Sequence, residues 1–254
     1  MDILICHGPN DNNILDLNIE YNRKNVAHRN MYIITYDPNL KKEGCIVIHE
    51  DIVPFKLRIQ ELYPNEKNRW GWYLQQLIKI CAPTFIPELS EYYLTIDCDT
   101  LFIKPTAFFE GNIPLYNYVQ KSIHSPYFDH MKRMHKGLIQ VNEISGICHH
   151  MLFNQHILTD MYSMIEDEYN ANNHTRYRFW EIFLACIDKK EFRLSGASEY
   201  ELYFNYIQKY HVNKFKLRQM SWDENVITVD QIKNYNIEHT SHNYMSCHYW
   251  RGGR

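Results

Sequence analysis

Three early runs of the chain, "DILICHG" (2–8), "NMYIITYD" (30–37) and "CIVIHED" (45–51), are apolar on both faces. They lack the alternation of a strand with one wet side. Strands of that kind lie between two helix layers, the habit of mostly parallel sheets. Gly8-Pro9-Asn10-Asp11 closes the first run and Pro38 the second. "NRWGWYLQQLIKICAP" (68–83) has helical spacing, with Trp70, Leu74, Leu77 and Cys81 facing a core and Pro83 as the stop. Arg69, Trp72, Gln76 and Lys79 share another face, which by default is solvated. A strand with an acidic turn follows, "YYLTIDCDTLFIKP" (92–105).

Further on, "IPLYNYV" (113–119) reads as a strand and residues 120–142, with His124, His130 and His135, as a long loop or lid. "ISGICHHMLFNQHIL" (144–158) reads as a strand running into a helix, and "DMYSMIEDEY" and "RYRFWEIFLACID" as helices. Ser198 opens another helix through about His211, and "ENVITV" and "YMSCHYW" read as late strands. With no repeat or linker, the expectation is a single α/β domain over 1–254, its central sheet mixed but mostly parallel and flanked by helices.

Hydrophobic residues at 45% and aromatics at 15% predict a packed core, and a net charge of −3 speaks against a dedicated nucleic-acid binder. "MDILICHG" has an acid at position two and a very short apolar run, unlike a signal peptide. No stretch approaches the ~20 apolar residues of a transmembrane helix. Seven scattered cysteines without a C-x-x-C pair predict reduced thiols and a cytoplasmic location, or host cytoplasm or virion for a chain of viral source.

The acids Asp97 and Asp99 end an apolar strand. Side chains two apart on a strand point the same way, and open α/β sheets bind ligands beyond the carboxyl ends of their strands. Two adjacent carboxylates repel unless something positive lies between them or one takes a proton. A divalent cation such as Mg²⁺ or Mn²⁺ resolves the conflict, and a diphosphate can fill its open positions.

"YYLTIDCDTLFIKP" resembles the D-x-D strand and loop of GT-A glycosyltransferases. "WGWYLQQLIKI" and "SEYELYFNYI" are similar to helices of a group of little-characterised GT-A-like proteins, and "SCHYWRG" is similar to the late-histidine segment of several retaining enzymes. These segments cover about a third of the chain. The resemblance implies a Rossmann-like GT-A domain, with a nucleotide-sugar half over about 1–110 and an acceptor half over about 111–254. It implies transfer of a sugar from a nucleotide-sugar, a UDP-sugar first, to a hydroxyl of a sugar, glycan or protein. Asp97 would face the nucleotide and join Asp99 and His248 around Mn²⁺ or Mg²⁺, whose Lewis acidity stabilises the leaving diphosphate. His242 competes with His248.

Further donor-site candidates are Cys6, His7 and Gly8 after the first strand, Tyr36 and Asp37 after the second, Gln76 and Lys79 on their helix, and Ser145 and Gly146. A glycine there lets backbone approach a sugar closely, though an ordinary turn explains it too. His149 could meet sugar hydroxyls or sit in the core. Ser198 with Glu201 forms a capping box, leaving Glu199 as the candidate acceptor base. Trp222 and Asp223 offer an aromatic face and a carboxylate. Alternatives are a HAD-type phosphatase or phosphotransferase, disfavoured by Leu101 where Thr or Val is required, and a non-catalytic carbohydrate-binding scaffold. A zinc site from Cys6-His7, Cys148-His149 and Cys247-His248 lacks paired spacing.

Overall fold

The computed structural model describes residues 1–120, 124–226 and 228–248. Its centre is a five-stranded sheet of β1 (Asp2–His7), β2 (Met31–Thr35), β3 (Ile46–His49), β4 (Tyr92–Asp97) and β8 (His150–Asn154), in the order β3-β2-β1-β4-β8. The first four are parallel and β8 runs antiparallel to β4. The fold is therefore mixed α/β with a mostly parallel sheet. Every residue of β1, β2 and β8 is buried, as both-faced apolar runs require. β3 departs from that expectation: it is the sheet's edge, and Ile46 is 41% exposed.

The helices are α1 (Leu15–Asn25), α2 (Phe55–Leu62), α3 (Lys67–Cys81), α4 (Ser125–Met134), α5 (Gln155–Asn173), α6 (Phe179–Ala185), α7 (Glu199–Tyr210) and α8 (Val229–Lys233). α3 lies on β1 and against α7, while α5 packs on β8. α7 begins where the Ser198 hydroxyl accepts a hydrogen bond from the Glu201 amide, the N-cap its sequence announces.

Two small sheets flank the main one. β10 (Trp222–Asp223), β11 (Tyr244–Ser246) and β5 (Thr100–Phe102) form one; β6 (Phe109–Glu110), β7 (Ile113–Tyr118) and β9 (Lys216–Gln219) form the other. β5 divides the core. Phe102 joins the main cluster, while Leu101 and Ile103 point the opposite way into a smaller one with Ile14, Val226, Ile232, Met245 and Cys247.

The structure corrects two elements. Residues 120–142 are not all loop: Pro126 sits in the first turn of α4, and His130, Met131 and Met134 are buried from it. "ENVITV" is not a strand. The Thr228 hydroxyl accepts from the Gln231 amide, and the Gln231 side chain accepts from the Thr228 amide. That reciprocal cap starts α8 instead. Ile227 lies outside the described residues.

Candidate active site

Asp97 is the last residue of β4, in register with Cys6 of β1, so it stands at the carboxyl edge of the sheet. Asp99 is not on the strand. It lies in the tight turn before β5, and the period-two argument for its direction does not apply. The turn is fixed from outside by α1. The Asn18 amide donates to the carbonyls of Asp97, Cys98 and Thr100 at 3.2, 2.9 and 2.8 Å. One turn on, Asn22 donates to the Thr100 carbonyl (3.0 Å) and accepts from the Phe102 amide (2.9 Å); Asn25 donates to the Phe102 carbonyl (2.7 Å). Three asparagines at helical spacing thus face inward where aliphatic residues would normally stand. Their spacing in "LNIEYNRKN" is the only local signal of this arrangement.

Lys79 of α3 is fully buried, with its ammonium 2.5 Å from Asp97 Oδ1 and 3.1 Å from Glu199 Oε1. The Tyr200 hydroxyl donates to the same Asp97 oxygen at 2.9 Å. Burial would raise the Asp97 carboxyl, but Lys79 and then His149 hold it below the usual range. Burial alone would lower Lys79, and Asp97 foremost among its partners keeps it well above its ordinary value. Glu199 shares the cation less closely, and burial pushes its carboxyl up.

These contacts correct three expectations. A cation is not needed between the acids to keep Asp97 ionised, because Lys79 already supplies the charge. Lys79 and Gln76 do not sit on a solvated or donor-facing surface, because α7 covers that face of α3. The Gln76 side-chain oxygen accepts from the Glu199 amide at 3.2 Å and so satisfies the first turn of α7. Glu199 itself is 4% exposed and turned toward Lys79, not outward to an acceptor.

Of the two late histidines, His248 reaches the acids: its Nδ1 is 3.3 Å from Asp99 Oδ2, across 149 residues of sequence. Among the described residues, His242 has no hydrogen bond or ion pair to either acid; it acts electrostatically on Asp223. Asp223 serves its own loop, accepting from the Asn225 amide and the Tyr235 hydroxyl. His149 completes the cluster. Its carbonyl accepts from the Asp97 amide at 2.9 Å, its Nδ1 lies 3.6 Å from Asp97 Oδ2, and its ring centroid is 4.7 Å from that of His248 and 5.5 Å from that of Trp222. Its φ is +62°, in the left-handed region that a residue with a Cβ enters at a cost. Sequence reasoning had no means to see that strain.

Of the remaining candidates, Cys6, His7, Gly8, Tyr36 and Asp37 lie at the ends of β1 and β2. Cys6 points toward the Gln75 carbonyl (3.8 Å), and burial pushes its thiol up to about 12. His7 Nδ1 lies 2.9 Å from Thr35 Oγ1, its ring is 5.5 Å from Tyr36, and burial lowers its pKa. Tyr36 hydrogen-bonds Asn12, while the Asp37 side chain accepts from the Asn39 amide within its own loop. Gly8 has φ −105°, and a Cβ there would meet only Asp11 at 3.7 Å. Gly146 is different: a Cβ would lie 2.5 Å from the Phe204 ring, so close packing on α7 requires the glycine. Ser145 donates to Glu201, which is thereby drawn away from its own helix cap.

None of the seven cysteines is in a disulfide, and among the described residues no three His, Cys, Asp or Glu side chains converge as a metal site. Cavities of about 410 Å³ beside α1 and about 210 Å³ beside the start of β4 lie away from the acids. No helix among the described residues is long and apolar enough to cross a membrane.

Fold and site together define an α/β protein with an acid-and-histidine cluster at the carboxyl edge of a mostly parallel sheet. The chain belongs to DUF6492, a family of unknown function, whose model matches residues 24–250. No curated protein matches it in sequence. Among solved structures, the crystal structure of mouse xyloside xylosyltransferase 1 in its apo form aligns over 97% of each chain, at 10% identity and a TM-score of 0.44. So loose a likeness assigns neither activity nor ligands.

Proposed function

We propose that the protein is a glycosyltransferase of GT-A type that takes a sugar from a nucleotide-sugar, a UDP-sugar first, and passes it to an acceptor hydroxyl. The supporting observation is the meeting of Asp99 with His248 from the far end of the chain, at the sheet edge where α/β proteins bind ligands. A carboxylate beside an imidazole suits Mn²⁺ better than Mg²⁺, which prefers oxygen ligands alone, and leaves open positions for a diphosphate. Such a cation would stabilise the charge that grows on the leaving diphosphate. Asp97 is not needed as a ligand in this reading. With Lys79 and Tyr200 on one oxygen, it is a fixed negative wall beside His149, and Glu199 supports Lys79 from behind.

The test is binding and hydrolysis of UDP-glucose, UDP-galactose, UDP-GlcNAc and GDP-mannose with and without Mn²⁺. The wild type should bind at least one donor in a metal-dependent way. Asp99→Asn and His248→Ala should each lose that dependence at least tenfold while melting near the wild type. Metal-dependent turnover retained in both variants would sink the proposal. Sugar binding without any turnover would favour the scaffold instead.

A further inference from the structure

Two polar atoms on neighbouring rings, His149 Nε2 and Trp222 Nε1, are shielded from solvent and have no hydrogen-bond partner among the described residues. Buried polar groups are rarely left unpaired, and two on adjacent rings call for an explanation, of which a bound ligand or water is one. Here the two belong to rings in edge contact, 5.5 Å apart with an interplanar angle of 79°. Both rings are held. Trp222 stacks on Tyr244 at 5.5 Å and 14°, and His149 is fixed by its carbonyl bond to Asp97 in a left-handed conformation. Strain of this kind persists where the surroundings over-determine it, and it gathers at ligand sites.

The two atoms have opposite character. The Asp97 carboxylate beside His149 Nδ1 favours the proton on that nitrogen, which leaves Nε2 as an acceptor. An indole N–H can only donate. A hydroxyl both donates and accepts, as does a ring carrying neighbouring hydroxyls. A carboxylate cannot donate, and an ammonium cannot accept.

Resting on the glycosyltransferase reading, we propose that His149 and Trp222 form a hydroxyl-recognition pair. His149 Nε2 accepts from, and Trp222 Nε1 donates to, hydroxyls of the sugar bound beside Asp97. The two residues then bind the sugar part of a ligand and contribute nothing to its nucleotide part.

The experiment compares UDP with UDP-glucose and UDP-galactose, and GDP with GDP-mannose, by calorimetry with Mn²⁺ present. Methyl glycosides in the presence of UDP form a separate acceptor arm. The variants are Trp222→Phe, which keeps an aromatic ring and removes the N–H, and His149→Asn, since asparagine tolerates the left-handed backbone. A lost neutral hydrogen bond corresponds to about a 2- to 10-fold weakening. Each variant should weaken sugar-bearing ligands by that factor and leave UDP or GDP binding unchanged. A deoxy analogue lacking the contacted hydroxyl should bind wild type and variant alike. Loss confined to nucleotide-sugars places the hydroxyl on the donor; loss confined to methyl glycosides places it on the acceptor. Equal weakening of UDP and UDP-sugar, or no change in either arm, overturns the pair while the broader reading stands. A wild type that binds no nucleotide-sugar overturns both.

Discussion

Lys79 sets the charge of two carboxylates at once. Its side chain is 4% exposed, and both Asp97 and Glu199 lean on it. Removing one partner of a buried ion pair leaves an uncompensated charge, at a cost of about 3–5 kcal/mol. Lys79→Met should therefore lose about that much in urea unfolding at neutral pH. The pH dependence carries the sign. In the wild type the Asp97 pKa is depressed on folding, so its stabilisation is full above its unfolded value of about 3.9. It is lost as pH falls through the lower folded value. In the variant both buried acids lose their cation and both folded pKa values rise. Stability then falls as pH climbs through the gap between unfolded and folded values. The variant should regain stability on acidification from pH 7 to pH 5, and a wild-type-like pH profile would disprove the shared-cation account. At this scale the sequence was partly legible. The acidic doublet stood out as a motif, and Gln76 and Lys79 were visible as one helical face. That α7 covers this face was not legible, because nothing in the local pattern of α3 says which helix will lie on it.

α1 is an element whose polar face does structural work. It presents Asn18, Asn22 and Asn25 to the acidic turn, all buried. Hydrophobic periodicity detects such a helix poorly, because Asn18, Asn22 and Asn25 share its buried side with only Leu15 and Ile19. β1 and β2 were legible for the opposite reason: both of their faces meet apolar neighbours, so the run itself reports burial. Asn18→Ala would remove the side-chain donor to the Asp97 and Cys98 carbonyls of the acidic turn, while the Thr100 carbonyl keeps its bond from Asn22. Stability should fall by about 1–3 kcal/mol, the desolvation penalty for buried groups left unpaired. Hydrogen exchange should quicken over residues 97–102 more than in β1 or β2. Metal-dependent donor binding should weaken further than the stability loss explains, because Asp99 loses its fixed direction. Uniform acceleration of exchange across the sheet would instead assign α1 a general packing role.

On the scale of the whole molecule, the cluster depends on a strand from the end of the chain. β11 lies between β10 and β5, and its neighbour Cys247 donates its amide to the Asp99 carbonyl at 2.8 Å. One short segment thus delivers His248 to Asp99, backs Trp222 with Tyr244, and closes the smaller core with Met245. The late strand was legible from "YMSCHYW", of which Tyr249 and Trp250 lie outside the described residues; its partner strand was not, since pairing across the chain leaves no mark on either sequence. Deleting residues 243–254 removes Tyr244 and Met245, both fully buried. Their burial is worth about 1.5–3 kcal/mol each, so the truncated chain should lose about 3–6 kcal/mol. His248→Ala keeps those contacts, and its melting temperature should stay near the wild type while metal-dependent binding disappears. If the segment only completed the core, the point variant would bind donor normally and only the truncation would fail. If it delivers the site as well, the two variants lose binding alike and differ only in stability.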